Sequence, residues 1–140
     1  MKYQTLVSMK HPRILLVSTG FPGSKHDLTI SSKTGLIGLL IELNETCIGD
    51  KAYQGPPVFI TPYKNYNNIE LTIYQEIYNQ LLEKFRNNVE RINKRLKIYQ
   101  CLKQQWRHPI EKHALIFHVV SILTNISLSY RPLNDDDDDE

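Results

Sequence analysis

The chain has 140 residues, of which 41% are apolar and 23% are charged. These values are typical of a soluble globular protein and argue against a disordered chain, and the length suits one domain with a modest core. The net charge of +2 hides an asymmetry, because Asp135–Glu140 are all acidic and the remainder carries 17 basic and nine acidic residues, or +8. A basic body suits a polyanion partner, although basic proteins without nucleic-acid partners are common.

No segment of the sequence has the pattern of a targeting signal or a membrane span. Met1–Val7 lacks the basic segment and the apolar run of a signal peptide. The most apolar helical run, Ala114–Ile126, contains His118 and is shorter than the roughly 20 residues that span a bilayer. We therefore expect a soluble intracellular protein with no membrane partner.

The first part of the chain has the pattern of a β-hairpin. Tyr3–Ser8 and Arg13–Gly20 are short runs rich in valine, leucine and isoleucine, which predicts two strands joined by a tight turn. Ile14–Val17 is continuously apolar, as in a strand covered on both faces. Pro22 and Gly23 then break the strand and predict a loop.

A helix is predicted from Asp27 to about Leu43, with an interruption at Ser31–Gly35. Asp27 would cap this helix, a role worth about 1 kcal/mol that accounts for the residue by itself. A role near a metal or on DNA is the alternative for Asp27. His26 could contact phosphate, but one histidine beside one aspartate does not make a metal site.

Asp50 stands at the end of a short predicted strand, Thr46–Gly49. Ligands of open α/β sheets bind at the carboxyl ends of strands, so Asp50 is a candidate ligand-binding residue. The alternative is a simple turn, since Gly-Asp-Lys is typical of turns. Gln54–Lys64 contains three prolines and predicts an extended connection with one edge strand at Val58–Thr61.

Two long helical patterns follow. The first runs from about Ile69 to Trp106, with a break near Asn87 because asparagine is a poor helix former. The second, Pro109–Tyr130, has a broad apolar face. Residues 134–140 predict a disordered acidic tail, which leaves residues 1–133 as the folded domain.

The first long helix carries two rows of side chains at three- and four-residue steps. The apolar row predicts a buried stripe and comprises Leu81, Leu82, Phe85, Val89, Ile92, Leu96 and Tyr99. Beside it runs a second row of Arg86, Glu90, Lys94 and Lys97, which we call the charged row. A solvated face with ordinary salt bridges is one interpretation of this row. A second carboxylate upstream, Asp50, favours a functional one.

These segments together resemble the catalytic core of DDE-superfamily transposases, in particular the insertion-sequence and Harbinger-type group. The resemblance rests on GDKAYQG at Gly49–Gly55, ITPYK at Ile60–Lys64, PGSKHD at Pro22–Asp27, and the late helix. The family's late-helix signature reads Tyr, two residues, Arg, three residues, Glu, six residues, Lys. Arg86, Glu90 and Lys97 match this signature, whereas Glu83 stands where the tyrosine is expected. The likeness extends from Lys2 to Leu133.

The resemblance implies an α/β fold with an RNase H-like mixed sheet and flanking helices. It also implies that Asp50 and Glu90 are two of three catalytic carboxylates that hold Mg²⁺ or Mn²⁺, in a two-ion site in the complete family domain. Hard carboxylate oxygens suit these ions, and two ions about 3.5–4 Å apart activate water and stabilise the leaving oxyanion. Arg86 and Lys97 would face DNA by resemblance, and Lys94 joins them on geometric grounds.

One departure from the family bears on activity. The family's first catalytic aspartate lies on a strand ahead of the segment that matches Lys2–Ser8, so we expect an N-terminally truncated domain without its first catalytic strand. Asp27 is then a candidate third carboxylate, and strand cleavage or strand transfer by this chain is expected to be weak or absent. A non-catalytic DNA- or protein-binding remnant of a transposase is the alternative.

Two further expectations follow from the same departure and resemblance. A sheet that lacks a strand exposes an edge, which predicts self-association. A DNA-processing protein is expected in the nucleus of a eukaryote or in the cytoplasm of a bacterium.

Overall fold

The structure, a computed structural model, describes residues 1–67 and 69–133. These residues form a mixed α/β fold, as predicted, with small two-stranded sheets and several helices. In chain order the elements are β1 (Thr5–Val7), β2 (Ile14–Val17), α1 (Asp27–Lys33), α2 (Leu36–Glu42), β3 (Cys47–Ile48), a 3₁₀ turn (Lys51–Tyr53), β4 (Phe59–Ile60), α3 (Ile73–Leu96), α4 (Gln100–Lys103) and α5 (Ile110–Tyr130). The predicted acidic tail, residues 134–140, lies outside the described residues.

The described residues divide into two compact units. The first unit contains Met1, Tyr3–Gly20 and the described residues from Asn87 onwards, and the second contains Lys2 and Phe21–Arg86. Helix α3 is continuous through Asn87, so the predicted break there is wrong. The helical pattern ends at Leu96 rather than Trp106, and α4 follows after a turn. The assignment of residues 1–133 to one nuclease-like domain stays a prediction.

The first unit is built on the predicted hairpin. Strands β1 and β2 pair antiparallel, with Thr5 opposite Val17 and Leu6 opposite Leu16, and a register shift follows Leu6. One face of the hairpin packs on α3 and α5 in a core cluster of buried side chains. The cluster comprises Ile14, Ile92, Leu96, Val120 and Leu128.

A side-chain amide joins α5 to β2. The backbone N–H of Ile14 donates to Asn125 Oδ1, and Asn125 Nδ2 donates to the carbonyl oxygen of Ile14, both at 2.8 Å. A single asparagine therefore satisfies both polar backbone groups of the first residue of β2. This pair of bonds sets the position of α5 along the strand, because a sliding helix would lose both of them.

Strand β2 is not covered along its whole length. Ile14 is 5% exposed, but its neighbour Leu15 is 56% exposed. Leu15 has no partner in the β1–β2 register, because the register shift falls at this residue, and its side chain is open to solvent. The prediction that Ile14–Val17 is covered on both faces is therefore wrong.

The apolar stripe of α3 is buried in part. Leu82, Ile92 and Leu96 are buried, and Val89 and Tyr99 are half-buried. Leu81 and Phe85, by contrast, are 51% and 44% exposed. The three- and four-residue spacing identified the correct helix but could not show how much of its length has a packing partner.

Helix α5 is longer than the apolar run that the sequence indicated. It has 21 residues, and by length and apolar composition it could cross a membrane. The prediction that this run is too short for a span is therefore wrong. Val120, Ser121, Thr124 and Leu128 are buried, and Val120 and Leu128 belong to the core cluster. A helix that packs in the core of a folded unit passes the same length and composition test.

Tyr3, His113 and Phe117 form a cluster of stacked rings in the first unit. Tyr3 Oη and His113 Nδ1 are hydrogen-bonded at 2.6 Å, and the Tyr3 ring stacks on Phe117 at a centroid distance of 4.0 Å. Burial, and after it the positive charge of the chain's amino terminus, lowers the pKa of the His113 imidazole below its usual value.

We expect the first unit to lose stability as the pH falls below about 6.5, the ordinary histidine pKa. The unfolded imidazole binds a proton there, whereas the folded one does so only at lower pH, so acid favours unfolding. Melting temperatures measured between neutral and mildly acidic pH check this for the native chain and for His113→Gln. The variant should show a shallower decline, and an equal decline in both would contradict the assignment.

The second unit places two short helices beside a parallel pair of strands. Gly35, with a φ of 75°, separates α1 from α2, which confirms the predicted interruption and explains the glycine. Strands β3 and β4 pair parallel, with Cys47 opposite Phe59 and Ile48 opposite Ile60. Both short strands that the sequence predicted around Thr46–Gly49 and Val58–Thr61 are therefore present.

Candidate functional site

Asp50 lies just beyond the carboxyl end of β3, in the parallel sheet. It is half-buried, and its Oδ1 accepts a hydrogen bond from the backbone N–H of Ala52 at 2.8 Å. Asp50 thus caps the 3₁₀ turn that follows, which is the turn role that the sequence left open. Within residues 1–67 and 69–133, no hydrogen bond engages Asp50 Oδ2, so this oxygen remains an available acceptor.

Gly49 sets the path of the chain into Asp50. A Cβ atom at Gly49 would lie 2.8 Å from Tyr53 Cβ and 2.9 Å from Tyr53 Cγ, closer than side chains normally approach. Tyr53 is itself packed against Phe59, at a ring-centroid distance of 5.1 Å. The absence of a side chain at Gly49 therefore allows the turn to fold back over the strand and to present Asp50.

Gly49→Ala is expected to destabilise the second unit by about 1–3 kcal/mol, because the added methyl group forces Tyr53 and the turn to move. Gly38→Ala is the matched control. Gly38 lies inside α2, and apart from its chain neighbours and the backbone of its own helix no described atom comes within 4 Å of the place that an added methyl group would take. Alanine there should therefore stabilise by about 0.5–1 kcal/mol. Urea denaturation compares the two, and equal effects of the same sign would contradict the steric argument.

Glu90 lies on the exposed surface of α3. In the part of the chain that the structure describes, no hydrogen bond or ion pair engages its carboxylate. In the same charged row, Arg86 is half-buried and Lys94 and Lys97 are exposed. The row therefore borders the apolar stripe as predicted. The alternative interpretation was a solvated face with ordinary salt bridges, and among the described residues Glu90 forms none.

The two candidate metal ligands belong to different units, Asp50 to the second and Glu90 to the first. Among the described residues, no group of three or more His, Cys, Asp or Glu side chains forms a metal-binding cluster. The oxygen donors of the two carboxylates are the type that Mg²⁺ and Mn²⁺ prefer. The donor type therefore fits a divalent ion, and the assignment of the two residues to a shared site stays a prediction.

Asp27 is engaged in an ion pair within the second unit. Lys2 Nζ lies 2.9 Å from Asp27 Oδ1 and 3.0 Å from Oδ2, and it also donates to the carbonyl oxygen of Lys25. Helix α1 begins at Asp27 and its N-cap is His26, which makes no side-chain cap bond. The prediction that Asp27 caps the helix is therefore wrong by one residue, and its carboxylate instead pairs with Lys2. His26 is exposed, and its role as a phosphate contact stays a prediction.

Asn79 positions a segment of the second unit, a role that the sequence did not indicate. Asn79 Oδ1 accepts from the backbone N–H of Tyr63 at 2.8 Å, and Asn79 Nδ2 donates to the Tyr63 carbonyl oxygen at 3.2 Å. The Tyr63 and Tyr78 rings meet edge to face at 5.2 Å. Asn79 therefore joins the ITPYK segment at Ile60–Lys64 to α3. Tyr63 and Asn79 are 16 positions apart in the sequence, and no repeating pattern connects them.

Comparison with known proteins yields a family match over most of the chain. The family model described as DDE superfamily endonuclease matches residues 1–125. A protein of Microchaete diplosiphon named as a probable transposase for insertion sequence element IS702 is 29% identical over 135 residues. The alignment covers 94% of this chain and 48% of that protein, so the chain spans about half the length of this curated relative. No solved structure matches the chain.

Proposed function

Because the chain belongs to the DDE superfamily of endonucleases, we propose that it carries part of a transposase-type site for metal-dependent cleavage and strand transfer of DNA. The observation that carries the proposal is the position of Asp50 at the carboxyl end of β3, in a parallel pair of strands, with Oδ2 available as an acceptor. This is the end of an α/β sheet at which ligands bind.

Asp50 and Glu90 are the proposed carboxylate ligands. A bound Mg²⁺ or Mn²⁺ pair would acidify the attacking water and stabilise the leaving oxyanion. The residues of this chain supply the remaining functions. Gly49 orients Asp50, and Asn79 holds the neighbouring segment on α3. Lys94 and Lys97 are exposed to solvent, where a phosphate backbone can approach them.

An RNase H-like arrangement is the fold we propose within the family. An antiparallel hairpin, a parallel strand pair and a long helix that carries the late acidic residue occur in this chain in that order. On this proposal residues 1–133 form one nuclease-like domain. Asp50 and Glu90 are then the proposed counterparts of two of the three family carboxylates.

Cleavage by these 140 residues alone is expected to be weak or absent. Two carboxylates hold a pair of divalent ions less tightly than three, since each ligand offsets part of the dehydration of the ion. Asp27 is the candidate third ligand within the sequence, but it would have to leave its ion pair with Lys2. DNA binding by the charged row, in contrast, does not depend on a third carboxylate.

A nicking assay on supercoiled plasmid tests the catalytic proposal. Any cleavage should require Mg²⁺ or Mn²⁺ and should disappear in both Asp50→Asn and Glu90→Gln. Asp27→Asn separates the two assignments of that residue, because loss of cleavage with an intact fold would make it the third ligand. Metal-dependent cleavage that survives Asp50→Asn and Glu90→Gln would refute the site.

DNA affinity measured against salt concentration tests the binding surface. The double variant Lys94→Ala, Lys97→Ala is expected to weaken binding and to make the slope of log affinity against log salt less negative by about 2. Lys10→Ala is the control, since Lys10 is exposed but lies in the turn of the hairpin. Equal losses in the control and the double variant would show that binding is not localised to the charged row.

A non-catalytic DNA- or protein-binding remnant is the second candidate, and the hydrogen bond from Ala52 to Asp50 favours it, because capping the 3₁₀ turn is a structural role that needs no metal. This function predicts that Glu90→Gln leaves DNA affinity unchanged and that Mg²⁺ does not raise the melting temperature. A real metal site predicts a rise, since a ligand that binds only the folded state stabilises it. On either function we place the protein where DNA is, in the nucleus of a eukaryote or the cytoplasm of a bacterium.

A further inference from the structure

We propose that the outer face of α5 is the surface on which a second copy of this chain docks, in antiparallel orientation. The outer face is defined here as Leu115, Val119, Ile122 and Ile126. It lies wholly within the first unit. The outer face shares no residue with the proposed endonuclease site. Self-association was expected from an open sheet edge, and here a helix provides the surface for it.

The four side chains are exposed although they are all apolar. Leu115 is 65% exposed, Val119 44%, Ile122 61% and Ile126 50%. Val120, Thr124 and Leu128 are buried on the opposite side of the same helix, where Asn125 is bonded to β2. A helix that is apolar on opposite sides is normally buried on both, whereas among residues 1–67 and 69–133 only one side of α5 is covered.

The spacing of the outer face is that of a helix–helix seam. The steps from Leu115 to Val119, Ile122 and Ile126 are four, three and four residues. This alternation keeps side chains in register with a second helix, as knobs that fit into holes. No residue from His113 to Tyr130 is lysine, arginine, aspartate or glutamate. The face therefore offers no charge to a phosphate backbone or to an acidic or basic partner.

The pattern is complementary to itself. If two copies of α5 cross antiparallel, Val119 of one lies beside Ile122 of the second copy, and Leu115 lies beside Ile126. Each apolar side chain then meets an apolar side chain across a two-fold axis, which is the arrangement of an isologous dimer. A single pattern that satisfies both sides of an interface is the reason to prefer a second copy over an unrelated protein.

A second exposed apolar row lies on the first half of α3, but its surroundings are different. Tyr74, Tyr78, Leu81 and Phe85 have the same spacing. Charged residues lie among them, namely Glu76, Glu83 and Lys84. The row on α3 therefore has exposed charge beside it, and the uncharged outer face of α5 is the stronger candidate for contact between copies.

The size of the contact predicts a weak dimer. Helix α5 is about 31 Å long and a helix is about 10 Å wide, so the paired face covers roughly 300 Å² on each copy. Stable protein–protein interfaces bury about 800 Å² per partner, and smaller ones belong to transient complexes. We expect a dimer that forms reversibly in the micromolar range or above.

Sedimentation analysis over micromolar to near-millimolar concentrations tests the proposal with the full chain. The average mass should rise with concentration from 16.4 kDa towards twice that value. Ile122→Glu should weaken association by at least about 100-fold, because each dimer would bury two unpaired carboxylates. Leu81→Glu is the matched control, since Leu81 is an apolar helix residue that is 51% exposed on α3. Circular dichroism verifies that both variants fold.

Disulfide trapping tests the orientation. In a background in which Cys47 and Cys101 are replaced by serine, Leu115→Cys and Ile126→Cys are prepared as separate proteins, one of them with a size tag. Antiparallel pairing predicts a crosslink in the mixture between the two variants and little within either alone, because residue 115 of one copy lies beside residue 126 of the other. Crosslinks within each variant alone would overturn the antiparallel arrangement.

Three results would overturn the docking surface itself. The chain could remain a monomer at every concentration, or Leu81→Glu could dissociate the dimer as strongly as Ile122→Glu. The third is a monomeric chain that floats with phosphatidylcholine vesicles and loses this binding in Ile122→Glu, which would assign the outer face to a lipid surface. Loss of the dimer in Ile122→Glu with unchanged DNA affinity would separate this proposal from the proposed endonuclease function.

Discussion

Replacing Ile92 with alanine is expected to lower the free energy of unfolding of the first unit by about 3–4 kcal/mol. Ile92 is 0% exposed and lies in the core cluster with Ile14, Leu96, Val120 and Leu128. The substitution removes three carbons from a site where α3 meets the hairpin and α5. The loss combines the transfer free energy of the deleted groups with the cost of the cavity that the backbone cannot close.

Leu81→Ala is the control for this prediction, because the change also removes side-chain carbons from α3. Leu81 is 51% exposed, so its truncation should cost less than about 1 kcal/mol. Urea denaturation followed by circular dichroism measures both variants, with a second spectroscopic probe to test for a single transition. A cost at Ile92 no larger than the cost at Leu81 would show that the core cluster is not packed as described.

Replacing Asn125 with alanine is the second substitution with a large expected effect. It should lower the free energy of unfolding of the first unit by about 2–4 kcal/mol. The substitution removes both hydrogen bonds to Ile14 and leaves its N–H and C=O groups without their partner at the junction of β2 and α5. Loss of a partner costs the desolvation of the group left behind, which is larger than the net value of the bond. We also expect faster amide hydrogen exchange at Ile14, because its N–H loses the acceptor that protects it.

Asn125→Asp and Ser129→Ala complete the test. Aspartate keeps an acceptor for the Ile14 N–H but has no N–H to donate to the Ile14 carbonyl, so its cost should be marked even though the shape is conserved. Ser129 is exposed and donates to the carbonyl oxygen of Ile126 in its own helix, so alanine there should change stability by less than about 0.5 kcal/mol. If Asn125→Ala and Ser129→Ala lowered the free energy of unfolding by similar amounts, Asn125 would not stabilise the contact between β2 and α5.

Local patterns predicted the elements of this protein well. Runs of branched apolar residues identified β1 and β2, and the tight turn predicted between them is consistent with their antiparallel pairing. The three- and four-residue spacing identified α3 and α5, and Gly35 explains the interruption between α1 and α2. Ordered motifs, among them GDKAYQG with Asp50 and the late helix with Glu90, indicated the DDE superfamily, which the family match confirms.

The candidate site was predictable in its residues but less so in their environments. The position of Asp50 after a strand followed from the sequence, whereas its hydrogen bond with Ala52 depends on the turn that Gly49 permits. The pairing of Asp27 with Lys2 joins residues 25 positions apart, and no periodicity connects them. The assignment of Asp50 and Glu90 to the same ion stays a prediction.

The amino-acid sequence by itself determined which segments are helices and strands, the family, and the residue types available for metal and DNA. Those properties depend on neighbours within a few positions along the chain. Only the tertiary structure decided that Leu15 and the outer face of α5 are exposed, that Ile92 is buried, and that Asn125 holds Ile14. An apolar pattern states only that a face can be buried, and whether it is buried depends on a partner that lies far away in the sequence.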